Sequence, residues 1–139
     1  MTQCCRLIRL LAGLWLAGLV PARSQSRFED LKGFTRASPE SIIVEIEAPM
    51  LVQRVEGVIV DAGSNPMANA LIEIRGPGLS MRVKGVRTDQ DGRFRMKHVA
   101  KGIYKFKVTS SGFQSVVGTL SLLKTGGTIP IQITLPFGI

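Results

Sequence analysis

The chain has one histidine, His98, and that count limits its chemistry before any fold is considered. Zinc hydrolysis uses a ligand cluster, commonly two histidines and a carboxylate around the ion. A lone histidine at the end of a strand-like run reads instead as a surface or strand-end residue. Asp89-Gln90-Asp91-Gly92 has the opening of a calcium loop, but such loops continue through further oxygen ligands to a distal glutamate. Here the run passes directly into Arg93-Phe94-Arg95, so the aspartates read as turn residues that bond local backbone N–H groups. Ser110-Ser111-Gly112 offers hydroxyls without the base and orienting group that a nucleophile needs. A Lys-to-Asn crosslink would want an asparagine in the last strand, and the only two, Asn65 and Asn69, fall near an earlier loop. These residue types assign no catalytic, cofactor-binding or metal-binding side chain, and the chain does not read as an enzyme.

What remains is charge. From Arg75 to Lys107 there are ten basic residues against Asp89 and Asp91, a local excess of +8. Within that stretch Phe94, Met96, Tyr104, Phe106 and Val108 alternate with Arg93, Arg95, Lys97, Lys105 and Lys107. Strand side chains point to opposite faces in turn, so one set is expected in the core and the other outside. The segment from Thr88 to Phe113 reads as a β-hairpin followed by another turn, and because hairpin partners share a face, the five cations are expected to form one patch. That face would suit an anionic polymer or carbohydrate, a lipid headgroup or an acidic envelope protein. The competing reading is that the charges keep a sheet soluble and block edge-to-edge pairing, with Glu45 and Glu47 neutralising part of them. Nucleic acid is a poor fit, because no exposed aromatics are interleaved with the charge.

The elements that must position these residues are short strands. Alternation predicts strands at Val55 to Asp61, Ala70 to Arg75, Arg82 to Thr88, Arg93 to His98, Gly102 to Ser110, Gln114 to Leu122 and Thr128 to Leu135, separated by Gly- and Pro-rich turns. Gly92 supplies the positive φ that a tight turn requires. Pro130 suggests an edge position or an end of pairing for the last strand. Ile42 to Glu47 is rich in β-branched residues and alternates, which favours a strand over a helix continued from Ser38. With no convincing amphipathic helix, the pattern is that of an all-β protein, an antiparallel Greek-key sandwich or small barrel of seven to eight strands.

Arg6 and Arg9, the apolar run Leu10 to Val20 and the small-residue exit at Ala22 and Ser24 follow the order of an export signal. Eleven apolar residues are too few for the roughly 20 of a membrane-spanning helix. The expected organisation is a signal peptide at 1–24, an N-terminal arm at 25–51 containing the strand at 42–47, and one domain at 52–136. The mature protein is expected in the periplasm or outside the cell, without a transmembrane span. Removing Arg6, Arg9 and Arg23, with no acid among them, lowers the net charge from +8 by three, to +5. Cys4 and Cys5 leave with the leader, so no thiol remains for a disulfide or a metal.

The joint order of Val55-Glu56-Gly57-Val58-Ile59-Val60-Asp61, Pro66 to Ile74, Thr88-Asp89, Gly92-Arg93-Phe94, Gly102-Ile103-Tyr104 and Gly112-Phe113 resembles the carboxypeptidase regulatory-like domain. The resemblance covers about residues 52 to 136 and implies a transthyretin-like sandwich. It also implies a non-catalytic module with a structural or binding role, or an accessory to a separately encoded hydrolase or transporter. It brings no functional residues with it. Hydroxyisourate hydrolases of related fold end in a tetrapeptide containing Tyr and Arg, whereas this chain ends Leu-Pro-Phe-Gly-Ile. Ring-cleaving dioxygenases on a related sandwich hold iron with paired tyrosines and histidines, and one Tyr and one His cannot supply them. For the leader, N-terminal sequencing of the exported protein is expected to begin at Arg23 or Gln25. An intact mass that retains Met1 would show an uncleaved segment.

Overall fold

A computed structural model of the chain describes residues 31–36, 42–126 and 130–138; the expected signal peptide and residues 25–30 and 37–41 of the expected arm lie outside these residues. Among the described residues the strands are β1 (Ile43–Glu45), β2 (Met50–Val52), β3 (Val55–Asp61), β4 (Leu71–Arg75), β5 (Val83–Arg87), β6 (Arg93–Met96), β7 (Gly102–Thr109), β8 (Ser115–Leu122) and β9 (Ile131–Leu135). They form two sheets. The larger has the order β1-β8-β7-β4-β5, with β2 continuing along β8 beside β1, and the smaller has the order β6-β3-β9.

The inner rows of the two sheets meet in one core. Ile72 and Ile74 of β4, Tyr104, Phe106 and Val108 of β7, and Val116 and Leu120 of β8 enter from the larger sheet. Val55, Ile59, Phe94, Ile133 and Leu135 enter from the smaller. All of these follow the predicted alternation. β9 lies at an edge and begins just after Pro130, which fits a residue without a backbone donor. Ile42 to Glu47 does form a strand, at Ile43–Glu45, while β2 was not legible because Leu51 is exposed and only Val52 is buried.

Two expectations change. The sandwich is not wholly antiparallel, since β1 and β2 run parallel to β8 and β3 runs parallel to β9. These partners are far apart in sequence, so no hairpin turn dictates their direction. In addition, β6 and β7 are not hairpin partners. β6 pairs with β3 in the smaller sheet, whereas β7 lies between β4 and β8 in the larger. The link from Lys97 to Lys101 crosses between the sheets, with His98 at φ 59° in the left-handed region. Both strands still bury their predicted rows, because inner positions of either sheet face the same core.

Local side-chain bonds hold the turns. Asp89 Oδ1 accepts from the N–H groups of Asp91 and Arg93, each at 2.9 Å, and Gly92 completes the turn at φ 70°. Asp61 Oδ1 accepts from the N–H groups of Gly63 at 2.8 Å and Asn65 at 3.0 Å. The Asn65 N–H is the main cause of a lowered Asp61 pKa. Thr88 Oγ1, buried, accepts from Ala70 N–H at 2.9 Å and donates to Met67 O at 2.5 Å, tying the end of β5 to the start of β4.

At Gly57 the backbones of β3 and β9 approach so closely that a Cβ would lie 1.9 Å from the Ile131 carbonyl oxygen. Gly57→Ala is therefore expected to cost about 2–3 kcal/mol in urea unfolding, since backbone cannot yield as a side chain would; a loss below about 0.5 kcal/mol would contradict this packing. Asp61 has a depressed folded-state pKa, so its contribution is present above the unfolded pKa and is lost as pH falls through the folded one. The melting-temperature gap between wild type and Asp61→Asn should accordingly close on acidification, and a gap that does not change with pH would refute this role for the charge.

Candidate functional site: a cationic cleft between the sheet links

The five cations predicted to share a face do not form one patch. Arg93 and Arg95 are exposed on the outer side of β6, and Lys97 follows that strand, whereas Lys105 and Lys107 lie on the outer side of β7 in the other sheet. Arg95 is held 3.6 Å from Glu56, its cross-strand partner. Lys107 is only 1% exposed, and its Nζ donates to Thr35 O at 3.0 Å. The physical reason is the crossing at residues 97–101, which turns two consecutive strands into members of opposite sheets.

The same crossing creates a different cationic site. Gln53 and Arg54 link β2 of the larger sheet to β3 of the smaller, and Lys97 to Lys101 link β6 back to β7. The two links meet where Lys101 Nζ donates to Gln53 O at 2.7 Å. Lys84 Nζ, reaching from β5, donates to Lys97 O. Tyr104 OH donates to Ala100 O at 2.6 Å, and burial raises the tyrosine's pKa, which keeps it a protonated donor. The links are thus tied to each other and to the sheets by side chain to main chain bonds.

Between them lies an open cleft of about 330 Å³. Its polar lining comprises Gln53, Arg54, Arg95, Lys97, His98 and Lys101, and its floor is apolar, formed by Val55, Met96, Val99 and Leu122. No carboxylate is among these lining residues, although Glu56 attends Arg95 from outside. A concave surface lined by one sign of charge over low-dielectric walls concentrates the field and attracts anions. Arg54 offers a planar fork for carboxylate, sulfate or phosphate oxygens, and lysines offer point charges. Among the described residues no three His, Cys, Asp or Glu side chains converge as metal ligands. The arrangement suits binding and orientation of an anionic group.

Sequence reasoning found Arg95 and Lys97 of this set and missed Arg54 and Lys101 as partners. Those two residues are 47 positions apart, and no spacing rule connects them. The one available signal was that each ends or begins an apolar run, where links between strands carry their polar residues.

With fold and cleft in place, the molecule is defined as a two-sheet, transthyretin-like β-sandwich. The pattern of the carboxypeptidase regulatory-like domain matches residues 54–136, and the chain belongs to that family. No curated protein sequence matches closely enough to count as a relative. Similar solved structures include a 3-chlorocatechol 1,2-dioxygenase from Rhodococcus opacus 1CP, 13% identical over 75% of this chain and 70% of that one, with a TM-score of 0.47. A hydroxyquinol 1,2-dioxygenase from Pseudomonas putida DLL-E4 is 9% identical over 70% of this chain and 63% of that one, with a TM-score of 0.48. A catechol 1,2-dioxygenase from Pseudomonas arvilla C-1 is 14% identical over 58% of this chain and 40% of that one, with a TM-score of 0.38. Likeness at this level transfers no chemistry to this chain.

Proposed function

We propose that the protein is an exported, non-catalytic binding module of the cell envelope that holds an anionic polymer in the cleft between its two sheet links. The observation that carries this reading is the convergence of Arg54, Arg95, Lys97, His98 and Lys101 on one concave surface without an acid in its lining. Family membership supports a domain that accompanies other machinery, and the leader-like order of Arg6, Arg9 and Leu10 to Val20 supports export. Among the described residues no helix is long and apolar enough to cross a membrane. A second reading, an accessory subunit of a separately encoded hydrolase or transporter, rests on the company that this family keeps; an acidic segment of such a partner would meet the same cleft.

Binding of this kind uses several weak, salt-screened contacts rather than one strong one. Purified mature protein should bind fluorescent dextran sulfate saturably, with affinity falling steeply as salt rises. The double variant Arg54→Glu, Lys97→Glu should weaken it about tenfold, as expected when two contacts of about 0.5–1 kcal/mol each are lost. The control Arg93→Glu, Lys105→Glu, at positions outside the cleft, should weaken it less. Equal losses in the two double variants, or binding that survives about 0.5 M salt, would sink the cleft as the site. If copurification from the native host returns a hydrolase or transporter subunit whose association the cleft variant disrupts, the second reading replaces the first.

A further inference from the structure

The outer face of the larger sheet carries a site of a different kind, sharing no residue with the cleft lining. Residues 31–36 were expected as part of a loose arm. They form a turn packed on this face, and Phe34 is buried at 6% exposure. Three charged side chains on neighbouring strands hold the turn. The Glu73 carboxylate accepts from Thr35 N–H at 3.1 and 3.2 Å and from Thr35 Oγ1 at 3.1 Å. Lys107 Nζ donates to Thr35 O at 3.0 Å. Arg75 donates to Lys32 O, and its guanidinium lies 5.2 Å from the centre of the Phe34 ring. Glu73 stands opposite Lys107 in the β4–β7 register, and Arg75 opposite Lys105.

We propose that Glu73, Arg75 and Lys107 form a peptide-recognition site for a Phe-Thr turn, that Leu31–Arg36 is its detachable internal ligand, and that the same segment of a second copy of this chain can take its place. The contacts have the character of ligand recognition. One aromatic anchor is seated under a cation, and most of the hydrogen bonds go to main-chain atoms of the turn, as in other peptide sites that combine backbone bonding with a side-chain pocket. The lining is charged, so release of the turn returns Glu73, Arg75 and Lys107 to water, where their solvation is favourable. The apolar surface that release uncovers is chiefly that of Phe34, which is not part of the contiguous core cluster. Glu73 and Lys107 are nonetheless buried, at 5% and 1% exposure, and water alone would not replace the contact of the Phe34 ring with the Arg75 guanidinium. The site therefore favours an occupant, whether from the same chain or from another.

The test uses the full mature chain. In wild type, the Thr35 amide should exchange with deuterium at least about 100-fold faster than the Val108 amide of the central strand, through opening of the turn alone. Equal protection of the two amides would overturn the proposal, because the turn would then leave only on global unfolding. As the second arm, Phe34→Ala should vacate the site while the protein still melts cooperatively. A labelled synthetic peptide spanning residues 30–37 should bind this variant about tenfold tighter than it binds wild type. Binding should be lost when the peptide's own phenylalanine is replaced by alanine, or when Arg75→Gln is added to the protein. Failure of the peptide to bind a folded Phe34→Ala protein, or equal affinity for wild type and variant, would overturn it. Failure of Phe34→Ala to fold would overturn it as well, by making the turn an integral part of the domain.

Discussion

Burial of Tyr104, Phe106 and Val108 along the inner side of β7, at 1% exposure or less, orients the strands around them. β7 pairs with β4 on one side and β8 on the other, so fixing its inner row also fixes which residues of those neighbours face the core. A slip of one residue would turn Lys105 and Lys107 inward and leave three large apolar groups outside. Fully burying each aromatic or aliphatic side chain is worth about 1.5–3 kcal/mol, so the register is strongly determined. The covered outer face and the cleft both depend on it: one lies on the outer side of the same strand, and the other at the link that leads into it.

The cleft is a product of architecture more than of any strand. Two sheets that share a core must be joined by crossings, and two crossings here run beside each other, at 53–54 and 97–101. Link residues need not alternate, and their charges have no pairing partner in a ladder, so cations gather without the cross-strand acids that attend Arg95 through Glu56. Bonds such as Lys101 to Gln53 O and Tyr104 to Ala100 O stiffen the links. The sandwich is shared with a broad family, whereas these charges, apart from Arg95 on β6, belong to the local loops.

On the outer side of the larger sheet the opposite problem is solved. Glu73 and Lys107 are removed from water by a turn of the chain, and desolvated charges are costly unless hydrogen-bonded. Thr35 supplies that compensation, giving Glu73 two donors and Lys107 one acceptor. A sheet face that looks solvent-directed in the sequence is thereby covered, with charge used for recognition rather than for solubility.

The sequence by itself determined the all-β class, most of the strands, their inner rows and the turns at Asp61 and Asp89, because each rests on local rules: side chains alternate with period two, and Asp, Gly and Pro act within a few residues. It also carried the family pattern, which lies in the order and spacing of those local pieces. Only the tertiary structure decided which sheet each strand joined. Alternation says which side of a strand is buried, and strands of both sheets bury their inner sides in the same core, so β6 and β7, which read as hairpin partners, keep the same buried rows as members of opposite sheets. That single choice separated Arg95 and Lys97 from Lys105 and Lys107, brought Arg54 beside Lys97, and placed Lys107 beneath Thr35, because pairing between residues distant in sequence depends on how a whole core closes.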